Sequence, residues 1–72
     1  MQNTPDISVI IPLLNESESL SSLQLWIDKA LKDTVYTYEV CYIDDGSTDN
    51  SWEVIEQLSK THPTVSGIRF AK

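Results

Sequence analysis

Apolar residues gather in three short runs, separated by two stretches in which they recur every three or four positions. Ile7 to Pro12 reads ISVIIP, a β-branched run with almost no alternation. That pattern predicts a strand covered on both faces within a parallel sheet, ended by Pro12. Asn15, Glu16 and Ser17 follow, and Asn15 or Ser17 is expected to accept the first free N–H groups of a helix. From Leu20, the residues Leu23, Ile27, Ala30 and Leu31 share one face of a helix running to about Lys32, and Leu25 falls on the other side. Tyr38 to Ile43, YEVCYI, is the second strand, followed by turn and cap residues in DGSTD. Trp52, Ile55 and Leu58, with Val54 at the margin, define a second helix that His62-Pro63 closes, with Asp49 complementing its positive end. Val65 to Phe70 makes a third strand.

The fold class predicted is α/β, β-α-β-α-β with three parallel strands. Right-handed crossovers progressing in one direction put both helices on one face of the sheet and leave the other bare. That bareness conflicts with the first run, whose unbroken apolar character asks for cover on both faces. A sheet with a naked face and an open edge beside the first strand tends to pair with another copy. Residues 1–72 therefore read as a single partial domain, the opening portion of a larger α/β domain, with residues 1–5 expected to be flexible.

Composition narrows the picture. A chain of 72 residues with 40% hydrophobic and 22% charged residues is globular, and at this size it buries only about 60% of the surface its unfolded form exposes. The net charge is -6, and six acidic residues lie between Glu39 and Glu56 with no Lys or Arg among them. Binding nucleic acid through its phosphates needs the opposite sign. Glu39, Glu53 and Glu56 read as solvated surface. The lone Cys41 cannot form an internal disulfide and reads as a small core residue. No apolar stretch reaches the roughly 20 residues of a membrane span, and MQNTPD lacks signal-peptide character, so the expectation is a cytoplasmic chain.

Asp44 and Asp45 stand apart because they are adjacent at a strand end. In an open parallel sheet, ligands bind beyond the carboxyl ends of the strands, where Pro12 to Glu16 and Asp44 to Gly46 both lie. A shared cleft follows if the first two strands are neighbours. A carboxylate there can hold a metal, act as a base, or accept N–H donors from a heterocycle. One of the pair can equally cap the following helix while the other faces water. His62, Trp26 and Trp52 read as structural, the tryptophans as core or flank packing, and Ser47, Thr48 and Ser51 as cap or turn residues. No base partner marks Ser47, Thr48 or Ser51 as a nucleophile.

SVIIPLLNE, followed about thirty residues on by YEVCYIDDGSTDNSW, resembles the start of family 2 glycosyltransferases. Their GT-A fold opens with a strand ending in a P-x-Y-N-E-like segment and a second ending in D-D-G-S-x-D. The continuation DNSWEVIEQL and the late GIRF are most similar to the branch of dolichol-phosphate mannosyltransferases and undecaprenyl-phosphate sugar transferases. The resemblance, from Ile7 to Phe70, implies that the chain is the Rossmann-like nucleotide-binding portion of an enzyme moving a sugar from a UDP- or GDP-linked donor to an acceptor such as a polyprenyl phosphate. It implies that Pro12, Leu14 and Glu16 line one side of the nucleotide pocket, and Ile43 and Asp45 the other. Asp45 would accept an N–H of the base, Asp44 would hold the loop and Gly46 would let it bend.

Where the family usually has an aromatic residue the chain has Leu14, which keeps an apolar contact and loses stacking. The family's D-x-D motif, which holds a divalent Mg or Mn ion, and its catalytic base lie beyond this sequence, so the 72 residues alone are expected to bind no metal and to be inactive. Membrane association, at the cytoplasmic face, would come through C-terminal regions outside it. The rival expectation is a non-catalytic binding or assembly module that uses the uncovered sheet face.

Overall fold

The structure, a computed structural model, describes residues 4–70. The flexibility expected for residues 1–5 falls largely on 1–3, outside the described residues. In chain order the elements are β1 (Ile7–Leu13), α1 (Ser17–Leu31), β2 (Tyr38–Asp44), α2 (Ser51–Thr61) and β3 (Val65–Arg69). The strands form one parallel sheet in the order β1-β2-β3, with Ile7 opposite Tyr38 and Val40 opposite Val65. At the base of the sheet, Asp6 and Thr37 exchange hydrogen bonds: the Asp6 N–H donates to the Thr37 carbonyl at 3.1 Å, and the Thr37 N–H donates to Asp6 Oδ2 at 3.0 Å.

Both helices cover the same face. Tyr42 donates its hydroxyl proton to Gln24 of α1 at 2.6 Å, while Gly67, the β3 neighbour of Tyr42, lies against Ile55 and Trp52 of α2. The core therefore sits between that face and the helices: Leu13, Leu20, Ile27, Val40, Tyr42, Ile55, Leu58 and Val65 are buried. The center of the α1 stripe runs Leu20-Gln24-Ile27-Leu31, at helical spacing. Gln24 belongs there because both polar atoms of its amide have partners, the oxygen accepting from Tyr42 and the nitrogen donating to Asp28 Oδ1 at 3.0 Å. Asp28 also accepts from the Tyr38 hydroxyl at 2.8 Å and lies 3.6 Å from His62 Nε2, tying the end of α2 to α1.

Four expectations are corrected. The first strand is covered on one face only: Ser8, Ile10 and Pro12 point away from the helices, and Ile10 is 55% exposed. An unbroken apolar run therefore reflects what the strand can bury, not what covers it here. Cys41 shares that open face with Ile43, half-buried, because the buried side of β2 is fixed by Val40, Tyr42 and Asp44. Trp26 is 68% exposed and packs in no core, lying roughly 130° around the helix from the buried stripe at 100° per residue. Ala30, on the flank roughly 90° from the stripe, is exposed as well, and Leu25, as expected, lies outside the core. No helix among the described residues is long and apolar enough to cross a membrane.

Candidate functional site at the strand tips

The register places Pro12 beside Ile43 and Leu13 beside Asp44. Parallel pairing continues one step further, the Asp45 N–H donating to the Leu13 carbonyl at 3.0 Å. The tips of β1 and β2 therefore meet. Side-chain alternation then divides the residues between the two faces: Leu13 and Asp44 turn toward the helices, while Pro12 and Ile43 turn to the open face and Asp45 takes the next outward position. Asp45 is exposed, Ile43 half-buried and Leu14 47% exposed.

Asp44 is fully buried, and its role is local. Its Oδ1 accepts the Ser47 N–H at 2.8 Å, closing the turn that Gly46 makes possible with φ 86°, a left-handed conformation that costs glycine little. Its Oδ2 is buried without a partner among the described residues. Its backbone carbonyl accepts the Phe70 N–H at 2.9 Å, extending the tie to β3.

Glu16 stands on the other side of the loop. Its backbone N–H donates to the buried Ser51 Oγ at 3.0 Å, and its carboxylate accepts from the Ser19 hydroxyl at 3.0 Å. It lines an open depression of about 490 Å³ together with Asn15, Ser17, Glu18, Ser19 and Asp49, which does not extend to Pro12, Leu14, Ile43 or Asp45. Pro12, Ile43 and Asp45 are thus brought together with Leu14 next to them, whereas Glu16 lines a depression that they do not share, so the single cleft expected from the neighbouring strand ends does not include it. No three His, Cys, Asp or Glu side chains converge as metal ligands among the described residues.

The cap residues differ from the expectation. Asn15 and Ser17 do not cap α1; Glu16 and Asn50 occupy the two N-cap positions without side-chain cap hydrogen bonds. Asn15, with φ 54°, instead reaches the other loop, its Oδ1 accepting the N–H groups of Thr48 at 2.8 Å and Asp49 at 3.2 Å. Asp49 reaches back: its Oδ2 accepts the Ser17 N–H at 3.3 Å and its Oδ1 the Ser51 N–H at 2.9 Å. Hydrogen bonding from the Ser51 side chain, reinforced by the backbone N–H groups of Ser51 and Ser17, outweighs burial and holds the Asp49 carboxyl below its ordinary value. Sequence reading missed this arrangement. Its only signal was an excess of cap-forming residues in both loops.

Residues 8–72 match the family model described as glycosyl transferase family 2. A dolichol-phosphate mannosyltransferase of Pyrococcus furiosus is 44% identical over 92% of the chain and 18% of its own length. An undecaprenyl-phosphate 4-deoxy-4-formamido-L-arabinose transferase of Pseudomonas fluorescens is 44% identical over 74% of the chain and 16% of its own length. The chain thus spans less than a fifth of these curated relatives. Among solved structures, a mannosyltransferase of Pyrobaculum calidifontis in complex with GDP-Man and Mn2+ superposes with a TM-score of 0.66 at 22% identity, covering 97% of this chain and 20% of that one. At that identity the likeness is one of fold.

Proposed function

The chain belongs to glycosyl transferase family 2, and from that membership we propose that its strand tips form the base-binding side of the donor site in an enzyme transferring a sugar from a nucleotide sugar. Pro12, Leu14 and Ile43 supply apolar contact to the flat heterocycle. Asp45 accepts a base N–H, Glu16 reaches the nucleotide from the separate depression it lines, and Asp44 and Gly46 hold the turn. The observation that carries this reading is the tie from the Asp45 N–H to the Leu13 carbonyl beside the Pro12–Ile43 pair, which sets an exposed carboxylate next to an apolar step. An ionised carboxylate makes hydrogen bonds roughly twice as strong as a neutral acceptor does. It fits the single imide donor of uracil or the paired donors of guanine.

The acceptor of the whole enzyme, on this reading, is a polyprenyl phosphate, as the names of the two relatives suggest. Among the described residues no group of three His, Cys, Asp or Glu could hold a metal ion, and on this reading the part these residues play is to bind and orient the donor. Titration of the 15N-labelled chain with UDP, GDP, UDP-glucose and GDP-mannose tests the assignment. Amide shifts are expected at Leu13, Leu14, Glu16, Ile43 and Asp45; shifts gathered elsewhere would remove it.

A second reading, an assembly module, is favored by the open sheet face, where Ile10 is 55%, Ile68 48% and Phe70 52% exposed. Its occupant would be a second copy of the chain. Sedimentation at low micromolar concentration separates the readings, since a monomer leaves only the first.

A further inference from the structure

Two side chains tie the loops of this site together from positions that the nucleotide reading does not use. Asn15 precedes α1 yet holds the Thr48 and Asp49 amides that lead into α2; Asp49 precedes α2 yet holds the Ser17 amide that opens α1. The first amides of a helix have no intrahelical acceptor, and α1 takes one for Ser17 from the loop that leads into α2, while Asn15 in return holds that loop by the Thr48 and Asp49 amides just before α2 begins. Two hydroxyls reinforce the exchange, Ser47 Oγ accepting the Asn15 N–H at 2.9 Å and Ser51 Oγ the Glu16 N–H at 3.0 Å. The left-handed φ of 54° at Asn15, a conformation that asparagine tolerates better than most residues, aims its side chain across the gap.

We propose that Asn15 and Asp49 form a reciprocal clamp, positioning residues that make the two loops one rigid unit and so fix Glu16 relative to Asp45. The proposal rests on the nucleotide reading for its purpose, and neither residue has to touch the ligand. Glu16 follows Asn15 directly, and Asp45 is anchored to β1 at one end and to the clamp through Ser47 to Asp49 at the other. With the clamp closed, the pocket walls are set before a nucleotide arrives, and little ordering is left to the binding step.

Native-state amide exchange on the full chain tests the coupling without any ligand. Asn15→Gly removes the acceptor and keeps the left-handed backbone; Asn15→Asp restores an acceptor; Asp49→Ala opens the clamp from the other side. Asn15→Gly is expected to speed exchange about tenfold at Thr48 and Asp49, and also at Ser17, whose own acceptor is untouched. Asp49→Ala does the same at Ser17 and, across the gap, at Thr48. Asn15→Asp recovers protection at Thr48, and the β2 amides of Val40 and Tyr42 stay protected throughout, reporting an intact fold. Titrations with UDP and GDP then weaken about tenfold in both open variants.

Exchange confined to the direct partners of each deleted side chain would overturn the clamp, even where the native chain binds nucleotide. Loss of Val40 and Tyr42 protection without recovery in Asn15→Asp would overturn it too, as a general stability effect. Cross-loop loss in a native chain that binds neither UDP nor GDP would instead keep the clamp and remove the nucleotide reading.

Discussion

Replacing Gly67 by alanine puts a methyl group 2.5 Å from Ile55 Cγ2 and 3.2 and 3.4 Å from two atoms of the Trp52 ring. Ile55 is 1% exposed and cannot swing aside, while Trp52, half-buried, lies beneath the Arg69 guanidinium at 5.7 Å. The sheet and α2 must separate to admit the methyl. Forcing a methyl into a packed core costs about 1–3 kcal/mol. Against this, alanine lowers the entropy of the unfolded chain and regains roughly 0.4–1 kcal/mol. The net is a loss of up to about 2.6 kcal/mol, centred near about 1.3 kcal/mol, or roughly 5–10 °C in melting temperature at that centre for a chain of this size.

Urea and thermal unfolding followed by circular dichroism measure it directly. Ser66→Ala, one position away and facing the open side, serves as the control and should stay within about 0.5 kcal/mol of the native chain. A Gly67→Ala chain that melts at or above the native temperature would refute the reasoning, because a glycine inside a strand is otherwise a weak point that alanine strengthens.

Tyr42→Phe leaves the buried Gln24 Oε1 without its donor and should cost about 1–3 kcal/mol in urea unfolding, whereas Leu25→Ala on the exposed side of α1 should cost less than about 0.5 kcal/mol. Burial first, and then the Asp28 carboxylate, push the Tyr42 hydroxyl up to about 12 from 10.0. The folded state thus holds this proton more tightly, so its stabilization is complete below pH 10 and lost as pH rises toward 12. Tyr42→Phe should flatten the stability profile over that interval, which unfolding at stepped pH will show. At the acid end the sign reverses: Asp49 is held below its ordinary 3.8, so its contribution is present above that value and lost as pH falls further. Asp49→Asn should remove this part of the acid dependence.

The element order, the parallel sheet and the one-sided helices were all legible in the sequence, because each rests on local periodicity and a fixed crossover hand. ISVIIP could not reveal that Ile10 and Pro12 face outward, since side-chain type does not say what lies beyond a strand. Gln24 hid within an apolar stripe because its oxygen is paired with Tyr42 on the sheet, 18 positions on, a partner that no spacing rule connects to it, while its nitrogen donates to Asp28 one turn along α1. Trp26 failed for a geometric reason: a tryptophan in an amphipathic helix reads as core unless its angle from the stripe is measured. Of the site, the two motifs and the meeting of their tips were readable. The Asn15–Asp49 exchange was not, because it joins polar residues 34 positions apart whose local preference is simply to cap their own helices.

The claim on which the rest depends is that the Asp45 carboxylate reads a nucleotide base beside Pro12 and Ile43. Isothermal titration of UDP and GDP into the native and Asp45→Ala chains tests it most directly. Losing a charged hydrogen bond of about 1.5–3 kcal/mol should weaken binding of the preferred nucleotide by roughly 10- to 150-fold while the fold stays intact. Equal affinity of both chains for that nucleotide, or its binding in a manner indifferent to Asp45, would contradict the account.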